Sequence, residues 1–177
     1  MIRFAQGPRL ALIVCIILTT VGCDQVTKHV AQRNLRHSHE TIHILQDMFY
    51  LRYAENTGGF LSLGSGLPHG ARFWLLTVFT GVILAGIGVV LATNRALTRA
   101  DAVALTLLLS GGLGNLIDRV FREGTVVDFM VMGVGRLHTG VFNVADVAVM
   151  AGIFLLFFSK FFGPHEQEEV RNGTQEP

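Results

Sequence analysis

The sequence predicts an all-α membrane protein built on four transmembrane helices. Three observations carry this. Half of the 177 residues are apolar and only 15% are charged, against about 25% in a soluble domain. The apolar residues are gathered into long runs. Acidic residues interrupt or bound three of those runs, as they would at a site built where helices leave the membrane. The net charge of +1 comes without any dense basic patch, so nucleic-acid binding is not expected.

The spans differ in how plainly they read. A membrane helix needs about 20 apolar residues. Residues 73–94 pass outright, lying between Arg72 and Arg95 with no charge inside. Residues 10–23 are ended by Asp24, and residues 102–117 by Asp118. Residues 137–159 are long enough only if Asp146 lies within the span. An aspartate at mid-membrane costs about 2.5–3.5 kcal/mol on insertion scales and marks a functional site by default. The plainer alternative is that Asp24 and Asp118 mark helix ends at the headgroups. Cys15 and Cys23 share the first run. Eight residues of helix separate them by roughly 12 Å, beyond the about 7 Å a disulfide spans.

Four spans put both termini on one side. Asp24 ends the first, Asp118 ends the third and Asp146 begins the fourth, so all three fall near one membrane face. The loops over residues 25–72 and 119–136 share it. Basic residues are densest in the short segments: Arg3 and Arg9, Arg95 and Arg99, and Lys160. By the positive-inside rule this puts both termini in the cytoplasm and the polar face outside, although raw totals favour the reverse. In the first outer loop, residues 42–45 and 48–53 are rich in β-formers and residues 55–59 form a turn. A small sheet on the membrane surface is expected, followed by a short surface helix over residues 67–72. The tail over residues 163–177 is polar and acidic, and disorder is expected there.

Several short strings hold the chemistry. Asp24 and Lys28 stand at i and i+4, the spacing of a helical ion pair, and a structural role outweighs a catalytic one. Residues 111–119, GGLGNLIDR, combine small residues for close helix packing with Asn115, Asp118 and Arg119. Asp128 in VVDF is flanked by apolar residues that raise a carboxyl pKa by desolvation, unless it is an ordinary loop acid. Asn143 and Asp146 share a helical face, and Asn143 also suits a helix N-cap. His37, His39 and His43 sit in a polar linker with no evident fourth metal ligand. No serine or cysteine stands in a nucleophile setting.

Two other classes fit the sequence less well. A proton or ion translocator places polar groups through the bilayer depth, whereas here they crowd at one face. Thr20, Val21, Gly22 and Cys23 resemble a lipobox, but three later spans argue against an exported lipoprotein.

Taken together, the strings resemble the lipoprotein signal peptidase family, also called signal peptidase II, over about residues 9–162. The match comprises D-Q-x-x-K at residues 24–28, N-x-G at 56–58, G-G-x-G-N-x-x-D-R from Gly111 to Arg119, V-V-D-F at 126–129 and F-N-x-A-D at 142–146. The resemblance implies a single membrane domain over residues 1–162, with spans at about 9–29, 73–94, 101–121 and 140–161, and an extracytoplasmic β-cradle. It implies catalytic aspartates at Asp128 and Asp146, without metal or cofactor. It implies cleavage of a diacylglyceryl-modified prolipoprotein just before its lipidated cysteine, in a bacterial inner membrane. Membrane lipids are further partners, and a monomer is expected. Two close carboxyls sharing a proton suit peptide hydrolysis, which needs a base for water and an acid for the leaving amine. Asp118 is the rival for the second acid, and the resemblance decides for Asp128. Asn56, Gly58, Asn115, Asp118, Arg119 and Asn143 then support or bind substrate, and Asp24 and Lys28 are structural. Relatives often read N-x-G-x-x-F. Here Phe60 comes one place early, so no role carries over to Phe60 or Leu61.

Overall fold

The computed structural model describes residues 6–37, 41–45, 48–59, 64–135 and 137–162. The acidic tail, His39, Phe60 and Leu61 lie outside them. Four helices are long and apolar enough to cross a membrane. Span one covers Gln6–Leu35 and span two His69–Thr93. Span three covers Arg99–Phe121 and span four Val144–Phe161. Their outer faces are apolar, with Leu10, Leu18, Val82 and Phe154 exposed, while Asp24, Lys28, Thr106 and Asp118 are buried between helices. That distribution suits a lipid surround.

Span one corrects the expectation that Asp24 closes it. The helix runs on to Leu35, so Asp24 is internal. Its 30 residues make about 45 Å, longer than the about 30 Å hydrocarbon core. The excess packs on the sheet: Ala31 and Leu35 are buried with Phe129, against Leu51, Tyr53 and Met130. The segment read as a separate surface helix is helical from His69 and continues unbroken into span two. An α turn, His69–Arg72, leads into a π segment, Phe73–Phe79, and then into α-helix over Thr80–Thr93. Span four, expected from about residue 140, begins at Val144, where Asn143 caps it; Leu137–His138, at the start of the apolar run, belongs to the sheet.

The sheet is antiparallel and four-stranded: β1 (Ile42–Leu45), β2 (Phe49–Asn56), β3 (Val126–Val134) and β4 (Leu137–His138), in that order across it. Strand β3 was not foreseen, because VVDF reads from sequence only as an acid among apolar residues. Its first half is buried on both faces, through Val126, Val127, Asp128 and Phe129. Asp128 stands opposite Ala54 of β2, and Val126 opposite Asn56. The backbone of Phe142 is hydrogen-bonded to Phe129 and Met130, which pins the start of span four beside Asp128.

Polar clamps hold the two ends of the bundle. At one end Arg9 donates to the carbonyls of Leu91 and Asn94, tying the start of span one to the end of span two. There too Asp101, at the start of span three, accepts from Ser159 and Lys160, at the end of span four. The opposite end carries the sheet and the remaining acids. Small residues let spans three and four meet: a Cβ on Gly111 would strike the Ala145 carbonyl.

Candidate active site

The site begins with a buried ion cluster. Lys28 lies one helical turn after Asp24 and both side chains are wholly enclosed, with Nζ 2.8 Å from Asp24 and 3.0 Å from Asp118. Its third donor reaches Asn115 Oδ1 at 3.0 Å. An ammonium has three donors, and all three are used. Asp24 also accepts from the Ala145 amide at 2.9 Å, and Asp118 from the Val127 amide at 3.1 Å. The cluster thus joins spans one, three and four to β3. A Cβ on Gly114 would lie 2.7 Å from Asp24 Oδ2, so the helices meet here only because that residue has no side chain.

Three asparagines transmit this order to two carboxyls. Asn115 Oδ1 accepts from Lys28 and Asn143, so its amide nitrogen faces Asp146 Oδ1 at 2.9 Å. Asn143 caps span four in a capping box with Asp146. Its Oδ1 is taken by the Asp146 amide, so its nitrogen donates to Asp128 Oδ1 at 2.6 Å. Asn56 Oδ1 closes a turn on the Gly58 amide, and its nitrogen reaches Asp128 Oδ2 at 3.0 Å. These amide orientations follow from the bonding network. Asn143 therefore bridges Asp128 and Asp146, and each carboxyl receives two N–H donors. The cap and the contact with Asp128 are made by one side chain, so the two readings of Asn143 are compatible.

Burial raises the Asp128 carboxyl to about 7, with the nearby charge of Asp146 adding to it and the Asn56 and Asn143 donors opposing it. A carboxyl poised there exchanges protons near neutrality. Arg119 donates to the Gly58 carbonyl at 3.0 Å and bears electrostatically on Asp146, Asp128 and Asp118. Asp118 is differently placed from the other two acids. Both its oxygens are engaged, by Lys28, the Val127 amide, Gln25 and Arg122.

All ten residues singled out from the sequence meet in this one region. The sequence places Gln25 in a motif but gives it no role; it donates to Asp24, the Gly114 carbonyl and Asp118. Arg122, one turn after Asp118, was missed. The i, i+4 spacing of Asp118 and Arg122 was an available signal. Among the described residues no group of three or more His, Cys, Asp or Glu is placed to hold a metal. Cys15 and Cys23 are both free.

A family model described as Signal peptidase (SPase) II matches residues 16–162. A lipoprotein signal peptidase of Geobacillus thermodenitrificans is 33% identical over 156 residues, covering 88% of this chain and 93% of that protein. One from Geobacillus kaustophilus is 35% identical over 147 residues, covering 83% and 91%. A solved bacterial membrane enzyme structure superposes with a TM-score of 0.77 at 25% identity, covering 90% of this chain and 93% of the other. With the family matched over nearly the whole helical part, this chain belongs to the signal peptidase II family and is a multi-pass membrane peptidase.

Proposed function

We propose that the protein removes signal peptides from prolipoproteins by aspartyl catalysis, with Asp128 and Asp146 as the acid–base pair. The observation that carries this is the Asn143 bridge between two carboxyls, one of them raised to about 7. In the singly protonated pair, the ionised carboxyl takes a proton from water as its oxygen attacks the scissile carbonyl carbon. The protonated carboxyl then gives its proton to the leaving nitrogen as the C–N bond breaks. One proton is gained and one is lost, so the pair ends singly protonated. Asn56, Asn115 and Asn143 orient the acids, and Arg119 fixes the turn at Gly58. The fixed dipoles need no rearrangement as charge develops.

Family membership supports a diacylglyceryl-modified substrate, cut before the lipidated cysteine. The acids lie where span three ends and span four begins, within reach of a lipid-anchored chain. The basic short segments support cytoplasmic termini with the site on the extracytoplasmic side. The test is cleavage by purified protein of one prolipoprotein with and without its diacylglyceryl group. The modified form should be cut and the unmodified form barely. Equal cleavage of both would remove lipid recognition, and cleavage of neither would remove the substrate assignment.

A further inference from the structure

A cavity of about 590 Å3 lies between the start of span two and the end of span three. Only three buried side-chain N or O atoms lack a hydrogen-bond partner among the described residues: Arg72 Nε, Thr77 Oγ1 and Arg119 Nε. All three residues line this cavity. A buried donor left unpaired costs about 1–3 kcal/mol, so three around one space point to something that belongs there.

Thr77 is the sharpest of them. It is 7% exposed. Thr19, Thr27, Thr93 and Thr106 each donate to the carbonyl four residues back, at 2.6–2.7 Å. Thr77 stands in the π segment, where backbone bonds run to the fifth residue, and makes no such bond. Its hydroxyl is left for the cavity. Such π segments are frequent at functional sites.

The remaining lining narrows the ligand. Arg72, Arg119 and Thr77 all offer donors, and His69 adds an imidazole. Glu123 is the one carboxylate in the lining, set against two guanidiniums. Two guanidiniums and a hydroxyl arriving from two helices suit an anion, and a phosphate presents acceptor oxygens toward both. Phe73 makes part of the wall. It and Trp74 are 48% and 67% exposed, where aromatic residues mark the headgroup level. We propose that this cavity holds the phosphate of a membrane phospholipid, bound by Arg72, Arg119 and Thr77, with the acyl chains along span two at Phe73 and Trp74. This goes beyond the proposed peptidase chemistry, which uses neither Arg72 nor Thr77.

Binding is read apart from cleavage, by native mass spectrometry of full-length protein with phosphatidylglycerol. The wild type should retain one lipid. Arg72→Gln and Thr77→Val should each weaken retention about tenfold, the loss expected for one charge-assisted hydrogen bond. Thr77→Ser should restore it, and Asp128→Asn, with no cleavage expected, should bind like the wild type. Phosphatidylglycerol should raise the melting temperature of the wild type more than that of Thr77→Val, which detects misfolded protein at the same time. Diacylglycerol, which lacks the phosphate, should not compete. Unchanged retention in both cavity variants would overturn the proposal. So would equal competition by diacylglycerol, or binding of inorganic phosphate without lipid.

Discussion

Lys28→Met keeps the length of the side chain and removes its charge. In the wild type the ammonium lies 2.8 Å from Asp24 and 3.0 Å from Asp118, with no exposure on any of the three side chains. Without it, two enclosed carboxylates lose their shared cation. Arg122, 27% exposed and 3.3 Å from Asp118, is a weak substitute. Removing one partner from a buried ion pair costs about 3–5 kcal/mol. At about 2–4 °C per kcal/mol for a chain of this size, the melting temperature should fall by roughly 6–20 °C. Adding Asp24→Asn deletes one stranded charge, while its amide oxygen can still accept from Ala145. The double variant should therefore melt above Lys28→Met alone. Scanning fluorimetry in detergent measures both shifts. A Lys28→Met protein melting within about 2 °C of wild type, or a double variant that melts at the sum of the single losses, would show that the ammonium does not hold these two carboxylates together.

Other outcomes follow from the same contacts. Asn143→Ala removes both the cap of span four and a donor to Asp128, so it should lose about 0.5–2 kcal/mol of stability and also turnover, whereas Asn143→Ser should recover stability but little turnover. Cleavage rate against pH should be bell-shaped, with the alkaline limb near 7, where Asp128 loses the shared proton; the apparent values belong to the pair, and a rate flat to pH 9 would contradict it. Asp128 also affects stability. Because its folded pKa is raised, the folded state binds more protons than the unfolded one between about pH 4 and 7. Its contribution therefore weakens as pH rises through that window and is constant above it, and Asp128→Asn should flatten that slope in melting temperature.

The legible parts of this fold were those set by local composition. Span two, with no internal charge, reads directly. The apolar run of span one stops at Asp24, where a charge would normally end a lipid-facing helix, although the helix continues. Asp24 faces Lys28 and Asp118 rather than lipid, and only the tertiary contact shows that the helix can continue. Strand β3 escaped for a related reason. Its pairing with β2 joins residues 72 positions apart, as the bond from Asn56 to Asp128 shows, and an all-round apolar segment carries no alternation to reveal it. The motif residues themselves were legible one by one, but not their wiring. The amide orientations of Asn56, Asn115 and Asn143 depend on a turn, a lysine and a helix cap brought together by the fold. The cavity beside Arg119 left no sequence signal, since nothing in the string around Thr77 announces a π turn.

In the proposed mechanism Asp128 and Asp146 are the acid–base pair, and Asp118 is a positioning residue held by Lys28 and the Val127 amide. The most direct measurement is single-turnover cleavage of a diacylglyceryl-modified prolipoprotein by Asp128→Asn, Asp146→Asn, the double variant and Asp118→Asn, each checked for native melting. Either single variant should lose about 10²–10⁴-fold or more in rate, and the double variant should be scarcely slower, because the pair acts as a unit. Asp118→Asn should lose stability first and keep measurable turnover in whatever fraction folds. Near-wild-type turnover by Asp128→Asn, with none from a well-folded Asp118→Asn, would contradict the account and put Asp118 in the pair.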